Sequence, residues 1–214
     1  MKIQMLLYAA LFCAVFVTTP GCSDDLANET LALSADGTLL TNRASNAPVR
    51  RAYKDNFDTW YQFVPDIANG WTPEYGPFLA WYPGGGVGNA THIGRANTYF
   101  NQYVPFTPPN FSSVPAPVIM FFDLALTAAG FPGIPSTVQS IVYDTKGNSI
   151  WFLGDGNTVS TPVSPTRIEF TGISTIIGGT GKFEGATSEV TLSGYFNPQD
   201  QQDAGVWSDG WIEY

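Results

Sequence analysis

The clearest pattern in the chain is an alternation of large apolar and polar residues between Arg51 and Val64. Successive side chains of a β-strand point to opposite faces, so a period of two predicts a strand. One face of this strand would carry Tyr53, Asp55, Phe57, Thr59, Tyr61 and Phe63. The other would carry Ala52, Lys54, Asn56, Asp58, Trp60 and Gln62.

Strand-like segments recur along the rest of the chain, separated by turns. Two proline-rich stretches, 65–87 and 104–117, predict long loops, the first with a short strand at 78–82. No segment predicts a helix. The main predicted strands are 51–64, 88–103, 118–127, 138–143, 149–153, 166–177, 183–196 and 206–214. Eight strands predict an all-β protein, an eight-stranded antiparallel β-barrel that is filled by side chains or holds one small ligand.

The N-terminus has the pattern of an export signal. Lys2 precedes an apolar run from Met5 to Val17, which is too short to span a bilayer comfortably. The run ends at Gly21-Cys22, which resembles the lipobox of bacterial lipoproteins, although Thr19 and Pro20 depart from the usual residues. We therefore expect a signal peptide at 1–21 and acylation of Cys22. The alternative is an ordinary secretory signal with a chance cysteine.

This interpretation divides the chain into a lipidated N-terminus with a flexible tether at 22–49 and a barrel domain at 50–214. Attachment to a membrane would then occur through the acyl chains, and the protein would lie in the bacterial cell envelope, at the outer membrane. The acidic residues Asp24 and Asp25 resemble the surface-export signal of some Gram-negative lipoproteins. Surface exposure of the domain is therefore also expected.

Charge and composition exclude several functions. Nine Lys and Arg face eighteen Asp and Glu, which gives a net charge of -9 and argues against nucleic-acid binding. The single histidine and two cysteines argue against a zinc, copper or iron site, so no metal and no cofactor are expected.

The most distinctive motif runs from Ile177 to Thr187 and reads IGGTGKFEGAT. Its glycines permit a tight turn between strands, and Phe183 is expected to be buried at that turn. Phosphate binding is the weaker interpretation, because the P-loop spacing is absent and no helix is predicted to follow.

This motif follows the segment ATHIGR at 90–95 and a hairpin turn at Lys146-Gly147-Asn148. Together, in this order, the three elements resemble the allene oxide cyclase and dirigent-like barrel superfamily, especially its secreted bacterial members. The resemblance implies an eight-stranded antiparallel barrel that often assembles as dimers or trimers. Members include enzymes that cyclise fatty-acid epoxides and proteins that steer the radical coupling of phenols. The plant catalytic residues cannot be matched here, and Ser188 replaces a common glycine.

Candidate site residues are few. His92 is the only imidazole and is a candidate acid-base group, with a structural hydrogen bond to a backbone carbonyl as its alternative. Asp123 interrupts an apolar segment and is the other catalytic candidate, unless it is paired or at a strand end. Four aromatic residues are candidates for lining a ligand-binding lumen, or alternatively for core packing: Tyr53, Tyr61, Tyr143 and Trp151.

Three functions remain open at this stage. The first is binding of a small apolar or phenolic ligand, the second is an isomerase or cyclase that acts in the lumen, and the third is a structural surface protein with a filled lumen. A homo-oligomer is also expected, because the predicted strand from Val118 to Leu126 is apolar on both faces. Its outer face would need a cover, from 104–117, from 65–87 or from another subunit.

Overall fold

A computed structural model describes residues 32–33, 39–40, 48–107, 112–154 and 158–214. The Cα positions divide the chain into two units, Met1–Asn46 and Ala47–Tyr214. In the first unit, β1 (Ala32–Leu33) pairs with β2 (Leu39–Leu40) in antiparallel fashion. The predicted signal peptide, Cys22 and most of the predicted tether lie outside the described residues.

The second unit consists mainly of strands. Its helical segments are α1 (Ile119–Ala128) and three 3-10 turns at Ile67–Asn69, Pro73–Tyr75 and Gly181–Phe183. Its strands are β3 (Arg50–Tyr61), β4 (Val64–Pro65), β5 (Ala80–Trp81), β6 (Gly84–Ala90), β7 (Gly94–Phe100), β8 (Gln102–Val104), β9 (Ser112–Pro115), β10 (Ser140–Tyr143), β11 (Ser149–Gly154), β12 (Thr158–Ser164), β13 (Arg167–Thr180), β14 (Ser188–Asn197) and β15 (Asp200–Glu213).

Eight strands form a closed antiparallel barrel, as the sequence predicts. The order around the wall is β11-β10-β7-β6-β3-β15-β14-β13, and pairing of β13 with β11 closes the circle. The alternation along β3 gives the predicted two faces, because Tyr53, Asp55, Phe57, Thr59 and Tyr61 are all buried. We call the end of the barrel near Arg50 the lower end and the end near Tyr61 the upper end.

Different strands form the barrel wall at its lower and upper ends. The short strands β4, β5 and β8 continue β3, β6 and β7 toward the upper end. The C-terminal half of β13 pairs with β11, whereas its N-terminal half pairs with β12. From β12 the sheet passes through β9 to β8. The upper wall therefore uses β9 and β12 where the lower wall uses β10 and β11.

Several predicted boundaries differ from the structure. The predicted strand at 88–103 is two main strands, β6 and β7, joined by a turn at 91–93 and followed by β8. The glycine-rich motif begins inside β13, and only its second half forms the turn. The predicted hairpin at 144–148 is confirmed, because β10 and β11 pair on either side of it.

The predicted strand at Val118–Thr127 is wrong, because this segment is the helix α1. A segment that is apolar on both faces of a strand is also apolar around a helix, so periodicity alone does not separate the two. Val118, Phe122 and Leu126 are buried at a spacing of four residues, which places them on one helical face. They pack outside the barrel in a cluster with Phe131, Ile134, Val138, Ile141 and Tyr143.

This correction also changes two expectations that depended on the strand. Asp123 is exposed on α1, so it is not a carboxylate within an apolar strand. The exposed apolar residues of the helix are Met120, Phe121 and Leu124, and Leu124 is 85% exposed. The argument for a homo-oligomer from a two-faced strand therefore no longer applies, and association itself stays a prediction.

The lower half of the barrel is filled by side chains. Phe183 is fully buried, as predicted, and its ring lies 4.8 Å from the ring of Tyr214. It belongs to a core cluster whose other large members are Tyr53, Phe57, Ile150, Phe152, Ile176, Val190 and Ile212. This core closes the lower end and supports the strands that rise above it.

Replacing Phe183 with alanine should destabilise the fold by about 3 to 5 kcal/mol, because a buried ring would leave a cavity in a packed core. Phe106→Ala is the matched control, since Phe106 is 49% exposed and its loss should cost much less. Denaturant unfolding of both variants measures the difference. Equal unfolding free energies for the two variants would contradict this account of the core.

Candidate ligand-binding cavity

The upper half of the barrel contains a cavity of about 140 Å³. It lies above the packed core, where the wall is formed in part by β8, β9 and β12. The residues that line it are Asp55, Phe57, Thr59, Tyr61, Tyr82, Thr98, Phe100, Gln102, Val104, Ser113, Gln139, Ser140, Val142, Phe152, Ser160, Phe170, Ser174, Leu192, Tyr195, Phe196, Ala204, Val206 and Ser208. Most of the rings and aliphatic chains come from inward positions of the barrel strands, which explains why the cavity is largely apolar.

Asp55 lies midway along β3, where the cavity meets the packed core. Its side chain is only 8% exposed. The Tyr53 hydroxyl donates to Oδ2 at 2.9 Å, and the backbone N–H of Ser208 donates to Oδ1 at 2.6 Å. Tyr53 comes from the next inward position of the same strand, and Ser208 is the residue directly opposite Asp55 on β15. Two neighbouring strands therefore fix the carboxyl group.

Burial decides the protonation behaviour of this pair. It raises the pKa of Asp55, because the ionised carboxylate loses hydration, and the hydrogen bonds from Tyr53 and Ser208 offset part of that shift. It also raises the pKa of Tyr53 far above its usual range, and the nearby Asp55 carboxylate adds to the effect. The barrel thus holds a carboxyl group that retains its proton more strongly than a surface aspartate.

The other polar groups of the cavity carry no charge. Hydroxyls of Thr59, Thr98, Ser174 and Ser208 are buried in the lumen. Lysine, arginine and histidine are absent from the residues described as lining it, and Asp55 supplies the one carboxyl group. The arrangement is an apolar chamber with hydroxyls on its wall and one acidic group at its floor.

Aromatic residues surround the upper part of the cavity. The Tyr61 ring lies 5.6 Å from Phe196 and 6.0 Å from Tyr82, and its hydroxyl donates to the Asn197 carbonyl at 2.8 Å. Phe63 continues this row, 5.7 Å from Tyr82. These contacts extend the aromatic wall of the lumen toward the loop that joins β3 and β6.

The four aromatic residues proposed from the sequence have different positions. Tyr61 lines the cavity. Tyr53 is not among the residues that line the cavity, but it lies in the packed core below and contacts two of them, Asp55 and Phe152. Tyr143 and Trp151 belong to the cluster between the barrel and α1, and neither is among the residues that line the cavity. They pack on the outer side of the wall, so they are unsuited to binding a ligand in the lumen.

The two catalytic candidates from the sequence are not brought to the cavity. Asp123 is on the exposed side of α1. His92 occupies the turn between β6 and β7 with a φ of 68°, and its Nε2 lies 3.0 Å from the carbonyl oxygen of Ala52. This contact matches the structural alternative given for His92. The Lys182 ammonium bonds to the His92 carbonyl, which ties the same turn to the motif at 177–187.

Asp55 and Ser208 are the site residues that sequence reasoning missed. The signal for Asp55 was present, because it shares a strand face with Tyr53, Phe57 and Tyr61. A single carboxylate on an otherwise apolar face indicates a buried acid. No pattern marked Ser208, which becomes relevant only through the register of β15 on β3.

The described part of the chain has no group of three or more histidine, cysteine, aspartate or glutamate residues placed to hold a metal ion. None of its helices has the length and apolar character needed to cross a bilayer.

Comparison with known proteins found no matching family model, no matching curated protein and no matching solved structure. The resemblance to the allene oxide cyclase and dirigent-like barrels therefore depends on the sequence motifs.

Asp55→Asn should change how stability depends on pH. With a raised pKa in the folded state, Asp55 stabilises the fold while it is protonated, and this contribution is lost as the pH rises through the raised value. The unfolding free energy of wild type minus that of the variant should therefore fall with rising pH. The fall should be about 1.4 kcal/mol for each pKa unit.

Denaturant unfolding from about pH 4 to pH 8 measures this difference, a range in which an aspartate with a raised pKa titrates. Asp58→Asn is the matched control, because it makes the same side-chain change at an exposed position three residues along the same strand. If the difference in unfolding free energy between wild type and Asp55→Asn does not change with pH, the raised pKa of Asp55 in the folded state is wrong.

Proposed function

We propose that the barrel binds one small, mostly apolar molecule in its upper lumen, with a polar group of that molecule directed to Asp55. The observation that carries the proposal is a cavity beside a buried carboxyl group, above a lower half that is packed with side chains. Specific small-molecule sites combine an apolar lining with a few polar groups that fix orientation, and this cavity has both.

The dimensions favour a ligand with about one aromatic ring. An engineered apolar cavity of about 150 Å³ holds benzene, and the cavity here is about 140 Å³. Rings of Phe57, Phe100, Phe152 and Phe170 line it and offer edge or face contacts to a bound ring. A phenolic molecule satisfies both the size and the need for one polar group.

Leu192→Trp should abolish binding of p-cresol, because Leu192 lines the cavity and an indole would fill it. Thr191→Trp is the matched control, since Thr191 is the next residue on β14 and is exposed. Titration of p-cresol, followed by chemical shifts of the protein, should give saturable binding for wild type and the control. Equal binding by both tryptophan variants, or no saturable binding to wild type, would overturn the proposal.

We further propose that the domain is attached to the cell envelope by a lipid on Cys22, at the outer membrane and on its outer surface. The apolar run ending at Gly21-Cys22 and the acidic residues after it support this attachment.

Cys22→Ala should release the protein from the membrane fraction and remove the acyl mass from the mature N-terminus. Cys13→Ala is the control, because Cys13 would be lost with the signal peptide and its replacement should leave attachment unchanged. Detergent phase partition and mass spectrometry of the mature protein provide the readouts. An unmodified mature N-terminus away from Cys22 would reject the lipid anchor.

A second candidate is an isomerase or cyclase acting in the lumen, as the family resemblance implies. The observation that favours it is the hydrogen-bonded pair of Tyr53 and Asp55, since a carboxyl group with a raised pKa suits general acid catalysis. The structural alternative is less favoured, because the upper lumen is not filled. Assembly as a homo-oligomer, which the family resemblance implies, is also part of the proposal.

A further inference from the structure

We propose that the cavity selects organic cations, namely a protonated amine carried on a single aromatic ring, with the ammonium group on the carboxylate of Asp55. This inference rests on the proposed ligand-binding function and names the chemical class of its ligand. It depends on the charge, hydrogen bonding and lining of one cavity.

The charge distribution is the first argument. Among the described residues Asp55 has no cationic partner, and its hydrogen bonds come from the Tyr53 hydroxyl and from the backbone N–H and hydroxyl of Ser208. The ion pairs found in the described part of the chain, Lys54–Asp209 and Arg167–Glu169, involve other carboxylates on the exposed surface. An ionised carboxylate in an apolar chamber is costly without a counter-charge, and a ligand ammonium would supply one.

The remaining hydrogen-bonding capacity is the second argument. An ionised carboxylate has about four acceptor positions, and the three bonds from Tyr53 and Ser208 leave about one of them free for a ligand. An ammonium group offers up to three donors. Buried hydroxyls of Thr98, Ser174 and Ser208 line the same cavity and can accept the donors that Asp55 does not use.

The aromatic lining is the third argument. Ring faces attract cations electrostatically, and the attraction grows when water is excluded. Phe57, Phe100 and Phe152 line the cavity that contains Asp55. Anionic ligands such as carboxylates and phosphates would meet a negative group and no positive one. A neutral alcohol would fit, but it would leave the ionised carboxylate without a counter-charge.

Binding of a cation should be linked to the proton on Asp55. The titratable groups near it are Tyr53, which donates to it, and the lining tyrosines Tyr61, Tyr82 and Tyr195. Burial raises the pKa of Tyr53, Tyr61 and Tyr82, so these phenols stay neutral through the acidic and neutral range. Protonation of Asp55 removes the negative charge, and acid should therefore weaken binding of an amine but not of an alcohol.

The experiment compares benzylamine with benzyl alcohol, which differ only in the ammonium and hydroxyl groups, by calorimetric titration of the full chain at neutral pH. Benzylamine should bind at least about tenfold more tightly, as expected for a hydrogen bond to a charged group. Its affinity should fall on acidification, while that of benzyl alcohol stays constant. Benzoate should not bind.

Variants separate the role of Asp55 from that of the cavity. Asp55→Asn should remove the preference for benzylamine and retain benzyl alcohol, whereas Asp58→Asn should keep the wild-type preference. Binding of benzyl alcohol and p-cresol without a preference for benzylamine would reject the cation site and leave the proposed function intact. Failure of all these ligands to bind would reject the proposed function as well.

Discussion

The pairing of β11 with β13 is the contact on which the rest of the structure depends, because it converts a curved sheet into a closed barrel. Glycine permits this pairing. Ile150 lies opposite Gly179, and a Cβ at Gly179 would collide with the Ser149 carbonyl and approach the Phe183 Cβ to 2.9 Å. The motif at 177–187 thus allows the two strands to meet and then turns Phe183 into the lumen. Closure and filling of the lower end follow from one short segment.

Because side chains fill the lower end of the barrel, a ligand can bind only in the upper half of the lumen. Large side chains such as Tyr53 fill the lumen below Asp55, and above it the wall passes to shorter strands with smaller polar residues such as Ser113 and Ser160. The cavity is the volume that these residues leave. Asp55 lies at the boundary, so it is buried enough to have a raised pKa and still lines the cavity.

Much of the barrel could be predicted because its strands alternate cleanly. The alternation from Arg51 to Tyr61 predicted both faces of β3, and the turn residues at 144–148 predicted the β10–β11 hairpin. The helix could not be predicted from periodicity, since 118–127 is apolar in either geometry. Because of the same error, Asp123 was predicted to lie within an apolar strand, whereas it is exposed on α1. Asp55 was placed on its correct face, but its importance depends on register and on the level of the core. Neither of these is visible in the sequence.

The division of the wall between β10–β11 below and β9–β12 above has an evolutionary consequence. The short strands β8, β9 and β12 contribute Gln102, Val104, Ser113 and Ser160 to the cavity and no residue to the core cluster below it. Substitutions at these four positions alter the upper chamber while the pairing that closes the barrel is preserved. Ligand preference can therefore diverge among descendants of this barrel without loss of the ability to fold.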